Sequence, residues 1–266
     1  MKEIAGNYVR QVVIELSRRA RVGHIGSALS VADLLAVLYG RVARIASPGD
    51  PDRDRVILSK GHAAAALYAV LHARGWISAE ELETFCGDDS TLGVHPDISA
   101  TGVDFATGSL GIGLSLGVGS ALAARLSRSS RRTFVLMSDA ECNEGSVWEA
   151  AMFAAQHRLS SLTAIIDFNG MQALGPTQDI LDQSNIAERW RAFGWHADEI
   201  DGHDEHAIQR ALVAAAQAPA PVVVIARTRL GKGVSFMEGQ LASHYWPLSD
   251  AQAEQALREL STCTPS

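Results

Sequence analysis

Three short apolar runs govern what this chain can fold into: Thr133-Phe-Val-Leu-Met-Ser138, Leu162-Thr-Ala-Ile-Ile-Asp167 and Pro221-Val-Val-Val-Ile-Ala226. Each has the length of a strand, and each is apolar almost throughout rather than alternating. That pattern marks parallel strands covered on both faces. Stretches of helical character separate them, about Ser146 to His157, Ile186 to Phe193 and Glu205 to Gln217, with one further strand over Trp195 to Ile200. Upstream, Arg55-Val-Ile-Leu-Ser59 reads as a strand and Ala63 to His72 as an alanine-rich helix. Such alternation predicts an α/β fold, a doubly wound, mostly parallel sheet with helices on both faces.

The N-terminal segment is helical in pattern, because Ile4, Tyr8, Val12 and Leu16 recur at the helical period. Ser30 is placed to cap a second helix, Val31 to Tyr39, with the turn signals Ser47-Pro-Gly-Asp-Pro51 shortly after. Ser249 to Ser266 reads as one short helix and a frayed end. No repeat or low-complexity linker divides the 266 residues, so 1–266 is expected to form a single domain.

Several function classes drop out. A net charge of −7 argues against a phosphate-tracking, nucleic-acid-binding surface. Cys86, Cys142 and Cys263 are too few and too scattered for a disulfide framework or zinc ribbon, and they fit a reducing, cytoplasmic setting. Phe105 to Ala124 carries no charge and has the length of a membrane span; Gly113-Leu-Ser-Leu-Gly117 even matches a membrane dimer pattern. However, Thr107-Gly-Ser-Leu-Gly111 reads as a loop, and too few residues remain before Arg125 for a helix to cross a membrane. A glycine-faced helix buried against another helix is the expectation.

In an open parallel sheet, ligands bind beyond the carboxyl ends of the strands. Asp139 and Asn169 stand just past two of the apolar runs, with one helix between them. A carboxylate and an amide oxygen at one sheet edge, with a backbone carbonyl at Met171, suit Mg²⁺, which shares its six oxygens with a diphosphate. The same two residue types also serve as ordinary turn-formers in α/β proteins.

The surrounding residues add to this. Ser138-Asp-Ala-Glu-Cys-Asn-Glu-Gly-Ser-Val-Trp-Glu-Ala150, followed by Ile166-Asp-Phe-Asn169, resembles the thiamine diphosphate signature of the transketolase family, which opens Gly-Asp-Gly and closes on an Asn one strand later. Trp190-Arg-Ala-Phe-Gly-Trp195, Ile200-Asp-Gly-His-Asp204 and Gly231-Lys-Gly-Val-Ser-Phe-Met237 are similar to the same family, in order, over nearly the whole chain. The resemblance implies thiamine diphosphate with Mg²⁺, or Ca²⁺ or Mn²⁺ in its place. Asp139, Asn169 and Met171 would hold the metal; Gly108, Ser109, Leu110, Ala140 and Glu141 would line the cofactor.

Gly23-His-Ile-Gly-Ser27, Ser59-Lys-Gly-His62 and Gly93-Val-His-Pro96 resemble the family's histidine motifs, and His244 falls where a fourth is expected. By that resemblance His24, His62, His95 and His244 surround the reacting carbon, with His62 also at the cofactor. Repeated deprotonation of hydroxyls near neutral pH suits imidazole. Glu144 matches a family glutamate that links paired active sites, or it serves only as an acid favouring a helix N-terminus. His72, His157, His196, His203 and His206 read as structural or surface residues, His203 as a turn residue capping the helix that follows.

Two departures stand out. Ser138 and Ala140 replace the family glycines. Ser243-His-Tyr-Trp-Pro-Leu248 places Tyr245 and Trp246 near a substrate histidine, where they either reshape the acceptor channel or pack on the C-terminal helix. The chain matches only the diphosphate-binding portion of the family. The pyrimidine-binding and C-terminal domains are therefore expected on a partner subunit, in an α2β2 assembly acting on sugar phosphates. The same motifs also suit two alternatives: a hybrid subunit passing a two-carbon unit to a lipoyl or carrier-protein thiol, and a non-catalytic half-transketolase scaffold.

Overall fold

A computed structural model describes residues 3–262, apart from the side chain of His244. The strands are β1 (Arg55–Leu58), β2 (Thr133–Ser138), β3 (Leu162–Phe168), β4 (Met171–Gln172), β5 (Gly175–Pro176), β6 (His196–Asp201) and β7 (Val222–Arg227). Five of them form a sheet in the order β1-β2-β3-β7-β6, parallel at every pairing, while β4 and β5 make a small antiparallel ribbon. The helices are α1 (Gly6–Ala20), α2 (Ile25–Ser30), α3 (Ala32–Val37), α4 (Ala64–Ala73), α5 (Ala79–Glu83), α6 (Ile112–Leu126), α7 (Gly145–Gln156), α8 (Thr177–Ile180), α9 (Ile186–Ala192), α10 (Glu205–Ala215) and α11 (Asp250–Thr262).

The pleat sends alternate strand residues into two cores. Phe134, Leu136, Ile165, Val222 and Val224 pack with α1–α4, α10 and α11 on one face. Val135, Met137, Ala164, Ile166, Val223 and Ile225 pack with α6, α7 and α9 on the other. Burial on both faces is why these strands read as unbroken apolar runs. The edge strand β6 is largely exposed and carries Asp198 and Glu199, charges that discourage pairing with another chain. The chain leaves β3 towards α9 on one face and leaves the adjacent β7 towards Val234, Met237 and α11 on the other. Their junction is thus a switch point, where the carboxyl edge opens for a ligand.

Two expectations need correction. α6 packs on α7 as well as on the sheet, but its Gly113 and Gly117 face the sheet side and not the neighbouring helix. A Cβ at Gly113 would stand 2.2 Å from Ser59 Oγ and one at Gly117 2.4 Å from Val135 Cγ2, so only glycine permits this approach. Ser30 is no helix cap: it ends α2, Val31 stands at the N-cap of α3, and the Ser30 hydroxyl goes instead to Ser27 and Asp167. Among the described residues no helix is long and apolar enough to cross a membrane.

Candidate active site

Beyond β2 the chain tightens into a single 3-10 turn, Ala140–Asn143, with Asp139 at its N-cap. Asp139 is wholly buried; Oδ1 accepts from the Ala140 N–H at 3.0 Å and Oδ2 from the Thr177 hydroxyl at 2.7 Å. Burial pushes its pKa up to about 6, helped by the neighbouring Asp167 carboxylate and opposed by Thr177 and Lys60. Neither Ser138 nor Ala140 has a positive φ, so the two replaced glycines cost no backbone strain.

A second buried carboxylate stands beside it, because Ser138 is in register with Asp167 across β2 and β3. Asp167 Oδ2 accepts from Ser30 Oγ at 2.7 Å, from Asn169 Nδ2 at 2.9 Å and from the fully buried Lys60 ammonium; Oδ1 accepts from Thr228 Oγ1. Asn169 Oδ1 in turn accepts from the Met171 N–H at 3.0 Å, which folds the segment leading into the β4–β5 ribbon. Asp167 thereby sets the orientation of the Asn169 amide, and Asn169 sets the position of Met171.

Glu141, also fully buried, braces the opposite wall. Its carboxylate accepts from the Gly111 N–H and the Ser138 N–H, each at 2.9 Å, and from the Ser59 hydroxyl. It therefore ties the ends of β1 and β2 to the Gly108–Gly111 loop. Burial raises its pKa, with these donors pulling the other way. Gly111 requires its left-handed φ of +86°, where a Cβ would also meet Glu144 Cβ at 2.7 Å. Gly108, Ser109 and Leu110 lie exposed along this loop, and Glu144 is exposed at the N-cap of α7.

Three of the four predicted histidines converge at the same edge. The ring centroids of His24 and His62 are 6.2 Å apart, and His62 Nε2 is 3.0 Å from Ser27 Oγ. His95 lies under the Gly108 loop, where a Cβ on Gly108 would touch its Cδ2 at 3.4 Å. His24 holds a left-handed backbone, φ +62°, a conformation that costs a residue with a Cβ about 1–2 kcal/mol. Its pKa is lowered by partial burial and by His95. The side chain of His244 lies outside the described residues.

The Leu241–His244 turn packs on the Gly23–Gly26 segment: a Cβ on Gly23 would stand 2.1 Å from the Tyr245 carbonyl. Tyr245 donates its hydroxyl to the Ala173 carbonyl, between β4 and β5, and its ring centroid is 6.3 Å from that of His24. It bridges the histidine cluster and the Met171 ribbon and does not make its hydrogen bond to the C-terminal helix. Trp246 is 71% exposed beside it.

Sequence reasoning overlooked several site residues. Lys60 and Asp167 lay inside motifs already singled out, and a charge at the end of an apolar run demands a buried partner. Thr177 and Thr228 gave no local signal, since their roles depend on where the chain returns. His203 is corrected: Asp204 caps α10 through the His206 and Ala207 N–H groups, and the His203 ring turns inward to Asp33. His72 is structural as expected, its Nδ1 2.9 Å from the Ile77 carbonyl.

The donor set fits a hard cation with a diphosphate. Three buried carboxylates, Asp139, Glu141 and Asp167, face one buried ammonium, and the pKa of Asp139 is raised first by burial and then by the neighbouring Asp167 charge. A cation offsets both. No group of three or more His, Cys, Asp or Glu side chains converges as a metal cage among the described residues. One carboxylate, one amide and a carbonyl leave the remaining positions of an octahedron to phosphate oxygens and water.

A parallel α/β sheet with this carboxyl edge, a glycine loop and a histidine cluster beside it has the layout of a cofactor-binding enzyme. Residues 1–264 match the family model described as transketolase, thiamine diphosphate binding domain. The chain is 42% identical over 258 residues to the 6-deoxy-6-sulfo-D-fructose transketolase subunit SqwG of Clostridium sp. strain MSTE9, covering 96% of this chain and 94% of that one. It is 39% identical over 262 residues to an apulose-4-phosphate transketolase subunit of Phocaeicola vulgatus, covering 97% and 93%. The crystal structure of the Campylobacter jejuni transketolase superposes with a TM-score of 0.91 at 33% identity, covering 96% of this chain but only 42% of that one. This chain belongs to the transketolase family and corresponds to its thiamine diphosphate-binding portion. It spans nearly the full length of the separate subunits and less than half of the one-chain enzyme.

Proposed function

We propose that this chain is the N-terminal subunit of a two-component transketolase, transferring a two-carbon ketol unit from a ketose phosphate to an aldehyde acceptor. One observation carries the reading: the buried Asp139, the half-buried Asn169, the Gly108 loop and three histidines share one end of the sheet. Thiamine diphosphate, when bound with Mg²⁺, supplies the nucleophilic carbon and electron sink that ketol transfer needs. Asp139, the Asn169 amide oxygen and the Met171 carbonyl hold the metal. Ala140 and Glu141 shape the turn over the diphosphate, and Gly108, Ser109 and Leu110 line the other side.

His24, with its lowered pKa, stands neutral at physiological pH and accepts a proton from a sugar hydroxyl. His62 is steered by Ser27, and His95 and His244 bind further hydroxyls. Glu144 sits exposed beside the Gly111 turn, where a second subunit can reach it. The partner is a C-terminal, pyrimidine-binding subunit in an α2β2 assembly, and this single-domain chain is inactive without it. A cytoplasmic location accords with the free Cys86 and Cys142, whereas Cys263 lies outside the described residues.

The test is a ketol-transfer assay on the chain reconstituted with its pyrimidine-binding partner. The panel should span ketose phosphates and the sulfo-ketose and apulose phosphate in the relatives' names. A product ketose lengthened by two carbons is expected, dependent on thiamine diphosphate and abolished by Asp139→Ala. A cofactor-loaded complex that lengthens no aldehyde overturns the assignment.

A further inference from the structure

The buried groups outside the site include one closed circuit of hydrogen bonds. His203 follows β6 in a turn fixed by its own N–H to Asp201 Oδ1 at 2.8 Å. Its Nδ1 is 2.8 Å from Asp33 Oδ2, and its Nε2 accepts from the Arg229 N–H at 2.9 Å. An Nε2 that accepts from an amide carries no proton, so the ring proton is on Nδ1 and is donated to Asp33. A carboxylate that orients a ring and fixes its tautomer in this way is a recurrent device behind metal sites.

Asp33 is itself immobilised. Arg10 donates to both of its oxygens, and Arg10 Nε donates to the Leu29 carbonyl at 3.3 Å. Burial alone would raise the Asp33 pKa; the hydrogen bond from His203 and the Arg10 charge outweigh it and hold the group below the usual carboxylate range. The turn also presses directly on the segment after β7, for a Cβ on Gly202 would stand 2.4 Å from Thr228 Cγ2.

Arg229 follows Thr228, whose hydroxyl holds Asp167 Oδ1 while Asp167 Oδ2 orients the Asn169 amide. Ser30 and Asp33, three residues apart on α2 and α3, close the circuit: Ser30 reaches Asp167 and Asp33 reaches His203. The segment after β7 is therefore pinned at both ends from one short stretch of helix. Among the described residues, no other side chain is bonded to the Arg229 N–H.

We infer that His203 is a positioning residue for the metal and cofactor site, acting through the Arg229 N–H and the Thr228 hydroxyl on Asp167 and hence on Asn169. This rests on the reading of Asn169 as a metal ligand. Asn and Gln at 203 separate the contacts: Asn places an amide near Nδ1 and keeps a partner for Asp33, while Gln extends an oxygen to the Nε2 position.

The experiment measures the dissociation constant of thiamine diphosphate at limiting Mg²⁺, by calorimetry on the complex with the pyrimidine-binding subunit. His203→Asn is expected to weaken binding about tenfold or more, the usual loss for a residue behind a metal ligand, with thermal stability preserved. His203→Gln is expected to stay near wild type, and His203→Asn is expected to add nothing to the loss caused by Thr228→Val. Equal affinities for the Asn and Gln variants and wild type, or independent losses in the double variant, overturn the inference alone. A wild-type complex that binds no thiamine diphosphate overturns the cofactor reading and this inference with it.

Discussion

Replacing Asp139 with asparagine should make the cofactor-free chain more stable while removing its response to cofactor. The carboxyl is buried and its pKa stands at about 6 against a reference value of 3.8. At about 1.4 kcal/mol per unit, ionisation of Asp139 in the folded state costs about 3 kcal/mol. An acid with a raised folded pKa contributes most stability below pH 3.8 and loses it as pH climbs to about 6, so at pH 7.5 the full cost is present. The asparagine side chain carries no charge, still accepts from the Ala140 N–H and still has Thr177 as a partner. A gain of about 2–3 kcal/mol is expected at pH 7.5, or roughly 5–10 °C in Tm for a domain of this size.

Thermal unfolding of the chain in chelator, then with Mg²⁺ and thiamine diphosphate alongside the partner, reads both halves. Wild type should gain apo stability as pH falls from 7.5 towards 5, and Asp139→Asn should lack that component. Cofactor should raise the Tm of the wild-type complex and leave the variant's unchanged. An apo variant less stable than wild type at pH 7.5 would show that the Asp139 charge is not a cost to the fold, and an undiminished cofactor response in the variant would show that the carboxylate does not anchor the cofactor.

Thr177→Val removes a donor to Asp139 worth about 1.5–3 kcal/mol, raising its pKa by roughly a further 1–2 units. Mg²⁺ affinity should therefore fall several-fold at pH 7 and recover by pH 9, and a loss independent of pH would contradict this. Gly117→Ala places a Cβ 2.4 Å from Val135 Cγ2 and should destabilise by about 1–3 kcal/mol in denaturant titrations. Gly119→Ala, with open space around it, should not destabilise. Ala140→Gly should leave thiamine diphosphate affinity within experimental error, because the turn already forms without a positive φ. Tyr245→Gly with Trp246→Ala should alter relative kcat/KM across aldehyde acceptors, since both residues stand at the rim of the histidine cluster; unchanged ratios would show that they serve only to pack.

Much of the architecture was legible because doubly buried strands leave a strong trace. The pattern predicts Thr133–Ser138 to the residue and Leu162–Asp167 to within one, since an apolar run of that length between helices suits a strand covered on both faces. The short α2, α5 and α8 and the β4–β5 ribbon left no comparable signal, because elements of a turn or less are set by tertiary contacts. Asp139, Asn169 and the histidines stood out through the resemblance of their motifs to the transketolase family, and the structure brings Asp139, Asn169, His24, His62 and His95 to one edge of the sheet. The network beneath them was not: Ser30 read as a cap and proved to bond Asp167, and His203 read as a cap and proved to bond Asp33. Local pattern shows that a hydroxyl or an imidazole has a partner to find, but long-range packing decides which one.

Native mass spectrometry of the chain isolated gently from its own cells reads whether it anchors its cofactor as one half of a pair. A second polypeptide in a two-plus-two complex is expected, with a mass increment for thiamine diphosphate and Mg²⁺ on each pair that Asp139→Ala removes. A chain recovered alone or paired only with itself, and taking up no cofactor after thiamine diphosphate and Mg²⁺ are supplied, would contradict that pairing.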